Sequence, residues 1–218
     1  MSERFLRVPD AARADLVAFV SRLLRTDESA VLRVRRRDPV ATPESPGQPV
    51  IEVWGATGFG ILAVRVIPGA VSPDSMVASA ALVRDSLQSG DVDVDTGYSM
   101  DSAWRGALPP PDGFDLLDSV PAKVLHELAE HGAEVGRETG GPAGPPPSLL
   151  DSHVLEVEGA GRTVGIALRT TFALRAMGFA GDGPDEPVRV RASATWVRLD
   201  ARYGSLYQRA EAGPRLLV

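Results

Sequence analysis

Gly55-Ala-Thr-Gly58-Phe-Gly60 has the glycine spacing that lets a dinucleotide pyrophosphate approach a helix N-terminus. The residues from Phe59 to Ile67 are dense in β-branched side chains and stop at Pro68, so no helix follows to receive phosphates. The stretch therefore reads as the bend of a hairpin, and no cofactor is expected. His126-Glu-Leu-Ala-Glu-His131 is close to the zinc-protease pattern, but its histidines are five apart and diverge by about 140° around a helix. They cannot share a metal as that motif does, and no metal is expected. Asp91-x-Asp93-x-Asp95 begins like a calcium loop, yet Thr96 and Ser102 stand where the loop needs glycine and glutamate. Its valines point instead to an acidic strand face. Gly97-Tyr-Ser99-Met-Asp101 is one glycine short of a nucleophile elbow, and no histidine is placed to complete a triad. Lys123 is the only lysine among 23 basic residues, so any Schiff-base or phosphate-loop lysine would have to be this one. Arg33, Arg35, Arg36 and Arg37 form the one basic cluster, a candidate anion patch that reads first as an exposed strand end.

The whole composition narrows the field further. There is no cysteine, which removes disulfides, thiolate metal sites and cysteine nucleophiles together. The formal net charge is −6, so no general attraction to nucleic acid or to an anionic membrane is expected. With 44% hydrophobic and 24% charged residues the chain matches an ordinary globular protein. No apolar run approaches the roughly 18 residues of a membrane span, and the N-terminus has an early acid followed by an amphipathic pattern. No secretory signal is read there, and the cytoplasm is the expected compartment.

The elements that must position these residues are an alternation of helices and strands. Leu16, Phe19, Val20 and Leu23 form the stripe of a core-facing helix that opens at Pro9-Asp10 and ends near Asp27. A strand from Ala30, a polar loop over 39–48 and a hairpin from Val50 to Ile67 follow. Ser72-Pro73-Asp74 predicts a helix start, with Met76, Ala80, Val83 and Leu87 inward and Gly90 ending the helix. A strand Val92 to Asp95 comes next. The proline-rich stretch 105–118 is read as the connection between an N-terminal half, 1–104, and a C-terminal half, 119–218. In the second half a helix starts at Ser119-Val-Pro121 with Val124, Leu125, Leu128 and Val135 inward, and 140–147 is a linker. A hairpin from His153 to Leu168, a helix over 171–179 ending at Gly181, and a long strand 188–196 follow. The apolar phase slips after Trp196, which suggests a bulge or turn before a last strand near Tyr203 to Gln208.

The predicted fold class is thus α+β with mostly antiparallel sheet, in two similar halves, each a helix, a β-hairpin, a second helix and a long strand. Laid without gaps over residues 154–170, residues 50–66 share seven identities, which raises an internal duplication against the alternative of two unrelated hairpins built from the same turn chemistry. If the halves are related, Asp93 and Asp95 on one strand and Arg189 and Arg191 on the other occupy equivalent places with opposite charge. Pairing between those strands, joining the halves, is the resulting expectation.

Trp104-Arg-Gly-Ala-Leu-Pro-Pro, Ser119-Val-Pro-Ala-Lys-Val-Leu, Arg175-Ala-Met-Gly-Phe-Ala-Gly and Trp196-Val-Arg-Leu-Asp-Ala-Arg-Tyr-Gly-Ser together resemble an uncharacterised family of actinobacterial proteins. The resemblance covers residues 104–207 and implies no activity, cofactor or site residue. The expected function is a noncatalytic binding or protein-interaction module, adaptor or chaperone-like, with a protein or small-molecule ligand as partner. The alternatives are an enzyme whose carboxylates and arginines converge only in three dimensions, and a nucleic-acid-binding regulator resting on Arg33 to Arg37.

Overall fold

The computed structural model describes residues 4–37, 47–139, 145–181, 183 and 185–210. Most of the expected loop over 39–48 and most of the linker over 140–147 lie outside the described residues. The chain divides into two compact units, one of Met1–Gly58 with Leu62–Ala107, the other of Phe59–Ile61 with Leu108–Val218. Both are mixed α+β with mostly antiparallel sheet.

The first unit runs β1 (Phe5–Arg7), α1 (Asp10–Thr26), β2 (Val31–Arg37), β3 (Val50–Ala56), β4 (Leu62–Pro68), β5 (Ala70–Ser72), β6 (Ser75–Ser79), α2 (Ala80–Ser89) and β7 (Asp93–Val94). Strands β6, β2, β3 and β4 form one antiparallel sheet, and β1 pairs with β5 and β7. The stripe Leu16, Phe19, Val20 and Leu23 is at most 2% exposed and packs on the sheet face that carries Leu32, Val34, Ile51 and Val53. Burying each such side chain stabilises the unit by about 1.5–3 kcal/mol. Gly55 permits the approach, because a Cβ there would lie 2.3 Å from Leu23 Cδ1. The opposite sheet face carries Val31, Arg33 and Arg35 beside Glu52, Trp54 and Ala56, since side chains alternate along each strand.

The Ser72-Pro73-Asp74 segment departs from its predicted role as a helix start. It is a tight turn between β5 and β6 with a cis Ser72-Pro73 bond, and the helix starts only at Ala80. Ser79 is the N-cap, its hydroxyl accepting from Leu82 N at 3.5 Å. Met76 is buried, but in a strand, because Ser75 to Ser79 pairs with β2 and satisfies its backbone. Gly90 does end α2, in the left-handed region at φ 86°.

The second unit runs β8 (Asp115–Pro121), α3 (Ala122–Thr139), α4 (Pro147–Asp151), β9 (His153–Gly159), β10 (Arg162–Ala167), α5 (Leu168–Met177), β11 (Pro187–Ala192), β12 (Trp196–Ala201) and β13 (Gly204–Arg209). Strands β8, β11, β12 and β13 pair antiparallel in that order, and β9 pairs with β10. Residues 115–121 thus continue the sheet where a connection and a helix start were expected, and α3 begins one residue after Pro121. Its fully inward side is Leu125, Ala129, Gly132 and Gly136, with Val124, Leu128 and Val135 half-buried on the flanks. The small residues let α5 come close: a Cβ on Gly132 would lie 2.3 Å from Leu168 Cδ1. Helix α5 starts and stops earlier than expected, and Gly178, at φ 55°, caps it. The apolar phase slip near Trp196 marks a strand change, because Ser193 to Thr195 turn the chain and Trp196 opens β12. The buried Gln208 ties β13 to the hairpin by accepting from Ala167 N at 3.1 Å and Thr170 Oγ1 at 2.6 Å.

Both units contain a helix, a hairpin and a second helix in that order, but only the second has long strands after it; β7 has two residues. The gap-free overlay matches β3 with β9 and then fails. A five-residue connection in the first hairpin and a two-residue turn in the second set β4 against residues 166–172, which mostly belong to α5.

Candidate interaction site

Most residues singled out in the sequence find partners inside their own unit, whereas His126 Nε2 is buried with no hydrogen-bond partner among the described residues. Gly55 to Gly60 close β3 and bend toward β4, with Gly58 N donating to Thr26 Oγ1 at 3.2 Å. Arg35 donates to Glu52 Oε2 at 3.1 and 2.8 Å, Arg37 lies 3.7 Å from Glu52 Oε1, and Arg36 meets Asp74 at 3.1 Å. Three of the four clustered arginines therefore face carboxylates, with Arg35 and Arg37 sharing Glu52. Arg33 has none among the described residues; it donates to Ser75 Oγ at 3.3 Å and lies 6.0 Å from the centre of the Trp104 ring.

The charged strands expected to join the halves are likewise served locally. Strand β7 pairs with β1, and Asp93 accepts from Arg7 Nε at 2.5 Å. Asp95 Oδ1 caps Gly97 N at 2.8 Å. Strand β11 has β8 on one edge and β12 on the other, Arg189 stands opposite Ser119 and Asp200, and Arg191 donates to Asp200 at 3.1 Å. Asp93 and Arg191 thus have ion-pair partners within their own units. His126 is half-buried on α3 and His131 exposed, 3.9 Å from Glu134. Among the described residues no group of three or more histidines, cysteines or carboxylates is arranged to hold a metal.

Among the concave surfaces that the described residues line, one in each unit brings together apolar and charged side chains from segments far apart in sequence. The second unit has a cavity of about 570 Å³ between α3 and α5. Phe59, Phe172, Ala129, Ala133 and Ala176 form its apolar part, and Glu130, Glu134, Arg137 and Arg175 its charged rim. Phe59 and Phe172 tilt against each other with ring centres 5.9 Å apart, and Arg169 Nη1 anchors the Phe59 carbonyl at 3.1 Å. Arg175 is paired with Glu130 at 3.2 Å, while Arg137 has no ion-pair partner among the described residues. An apolar floor with a charged rim is the pattern of a partner-binding patch.

The first unit has a cavity of about 420 Å³ on the sheet face away from α1. Ala30, Val31, Ala56 and Leu62 come from strands and their ends, and Met100, Ala103, Trp104 and Arg105 from the loop after β7. Sequence reasoning missed both surfaces, since it ended the N-terminal half at Trp104 and read Phe59 only as part of the hairpin. An exposed arginine after a tryptophan was the available signal in the first; in the second it was the alanine spacing of α3.

Among the described residues no helix is long and apolar enough to cross a membrane. Residues 1–106 match the family model Domain of unknown function (DUF8010), and residues 109–213 match Domain of unknown function (DUF8185). No curated protein matches the chain. In three dimensions it is similar to Caulobacter crescentus pol III beta, with TM-score 0.56 at 13% identity over 97% of this chain and 66% of that one. The beta subunit from DNA polymerase of Streptococcus pyogenes gives TM-score 0.59 at 13% identity, over 95% of this chain and 64% of that one. A sliding clamp (DNA polymerase III subunit beta) from Bartonella birtlesii, bound to griselimycin, gives 0.56 at 14% identity, over 98% and 66%. The chain thus spans just under two thirds of the length of these relatives. Its two halves match two families of domains of unknown function, built on the fold of the bacterial sliding clamps.

Proposed function

We propose that the protein is a noncatalytic, clamp-like interaction module, an adaptor that binds a protein partner in the cytoplasm. The observation that carries this reading is the likeness to sliding clamps over 95–98% of the chain. A protein is favoured over DNA by the charge pattern. Exposed Glu127, Glu130, Glu134 and Glu138 outnumber Lys123 and Arg137 on α3, and the arginines at 35–37 already face carboxylates. A surface that tracks phosphates needs uncompensated cations. The groove between α3 and α5 is the docking surface of this reading. Its occupant is a partner segment with an apolar anchor for Phe59 and Phe172, and an acid beside it for Arg137.

Affinity capture from the host with quantitative mass spectrometry tests the reading. Ala133→Arg fills the groove without removing a core side chain. At least one protein is expected on the wild-type chain and lost from this variant, while Tyr203→Ala, outside the groove lining, keeps it. The same proteins on all three chains would contradict the groove, and nucleic acid captured in place of protein would contradict the adaptor.

A further inference from the structure

The cavity of the first unit combines an apolar lining with donors that lack acceptors. Trp104 Nε1 is fully enclosed and has no hydrogen-bond partner among the described residues. A buried donor left without an acceptor is costly, which makes such a group a place to look for a missing ligand. Arg105, next in the chain and also lining the cavity, is exposed and has no ion-pair or hydrogen-bond partner among the described residues. Arg33, near the Trp104 ring, has no carboxylate either. The two nearby acids are engaged by local donors. Asp27 Oδ1 accepts from Ser29 N at 2.9 Å and Ser29 Oγ at 2.7 Å, and Asp101 accepts from Val77 N at 3.1 Å and Ser99 Oγ at 2.5 Å.

Ala30, Val31, Ala56, Leu62 and Met100 can hold only an apolar body. The volume of about 420 Å³ lies within the range of small-molecule sites, about 300–1,000 Å³. The geometry points to a binding site for a small amphipathic anion, an apolar chain or ring carrying one carboxylate. The apolar part lies against Leu62 and Met100, the carboxylate pairs with the Arg105 guanidinium, and a small turn of the half-buried Trp104 indole brings its enclosed Nε1 to the carboxylate as donor. Arg33 adds positive potential at the same end. This site belongs to the first unit and the protein-docking groove to the second, and the inference does not rest on the adaptor reading.

The test follows the indole signals of the ¹⁵N-labelled full chain by NMR during titration with decanoate below its micelle concentration. Trp54 Nε1 already donates to Glu52 at 3.1 Å and serves as the internal control; Trp104→Phe identifies the Trp104 signal. The Trp104 indole proton is expected to move downfield and saturate, while that of Trp54 stays. Decanol, equally long and uncharged, is expected to bind more weakly. Arg105→Gln, a surface change, is expected to weaken decanoate about fivefold and leave decanol unaffected. A Trp104 signal that does not saturate, equal affinity for decanoate and decanol, or an Arg105→Gln variant that binds decanoate as the wild type does would each overturn the assignment.

Discussion

Glu52 is the clearest case of one side chain holding many. Its carboxylate is 7% exposed and accepts from Arg35 and from Trp54 Nε1, with Arg37 close by. Removing it leaves a buried indole donor and a half-buried guanidinium without their acceptor, whereas an amide keeps an acceptor oxygen. Glu52→Ala is therefore expected to lower the unfolding free energy by about 2 kcal/mol and Glu52→Gln by less, read from urea denaturation midpoints. Equal losses for the two variants would show that the carboxylate is not the organising group. At this scale the sequence was partly legible. The four arginines are visible as a cluster, but that three of them meet Glu52 or Asp74 depends on the β2–β3 register and on the β5–β6 turn, neither of which is local information.

Among the elements, two backbone positions in the β9–β10 region separate tolerance from strain. Gly159 ends β9 where a Cβ would lie 2.3 Å from the Leu117 carbonyl oxygen and 2.6 Å from its Cα, so no rotamer can relieve the clash. Gly159→Ala is expected to cost about 2–3 kcal/mol, measured by thermal unfolding. Ala160, at φ 48°, is instead a non-glycine residue in the left-handed region, followed by Gly161 at φ 72°. Ala160→Gly is expected to stabilise the hairpin by up to about 1 kcal/mol; a loss would show that the turn has another conformation in solution. Helix α1 and the β3–β4 hairpin were readable because their periodicity is decided by residues next to each other. Ser72-Pro73-Asp74 was not, because the same residues suit a helix start and a tight turn, and the β2 edge that decides between them lies some 40 residues away. The phase slip at Trp196 was visible, but whether it meant a bulge or a new strand rested on the pairing of β11 with β12.

For the whole molecule, the sliding-clamp fold came from no motif, because a likeness at 11–15% identity lives in element order and register rather than in residue types. The two concave surfaces were hidden for a related reason: each draws residues from segments far apart in sequence. Charge at this scale also bears on the partner. Duplex DNA at low salt is expected to show no saturable binding in fluorescence anisotropy, and binding that falls steeply with added salt would point to phosphate contacts instead. The adaptor reading is tested most directly by hydrogen–deuterium exchange on the full chain with and without the protein it captures. Slower exchange is expected at amides 129–137 of α3 and 172–176 of α5, and nowhere to the same degree in the first unit. Protection confined to other elements, or none in the presence of the captured protein, would contradict it.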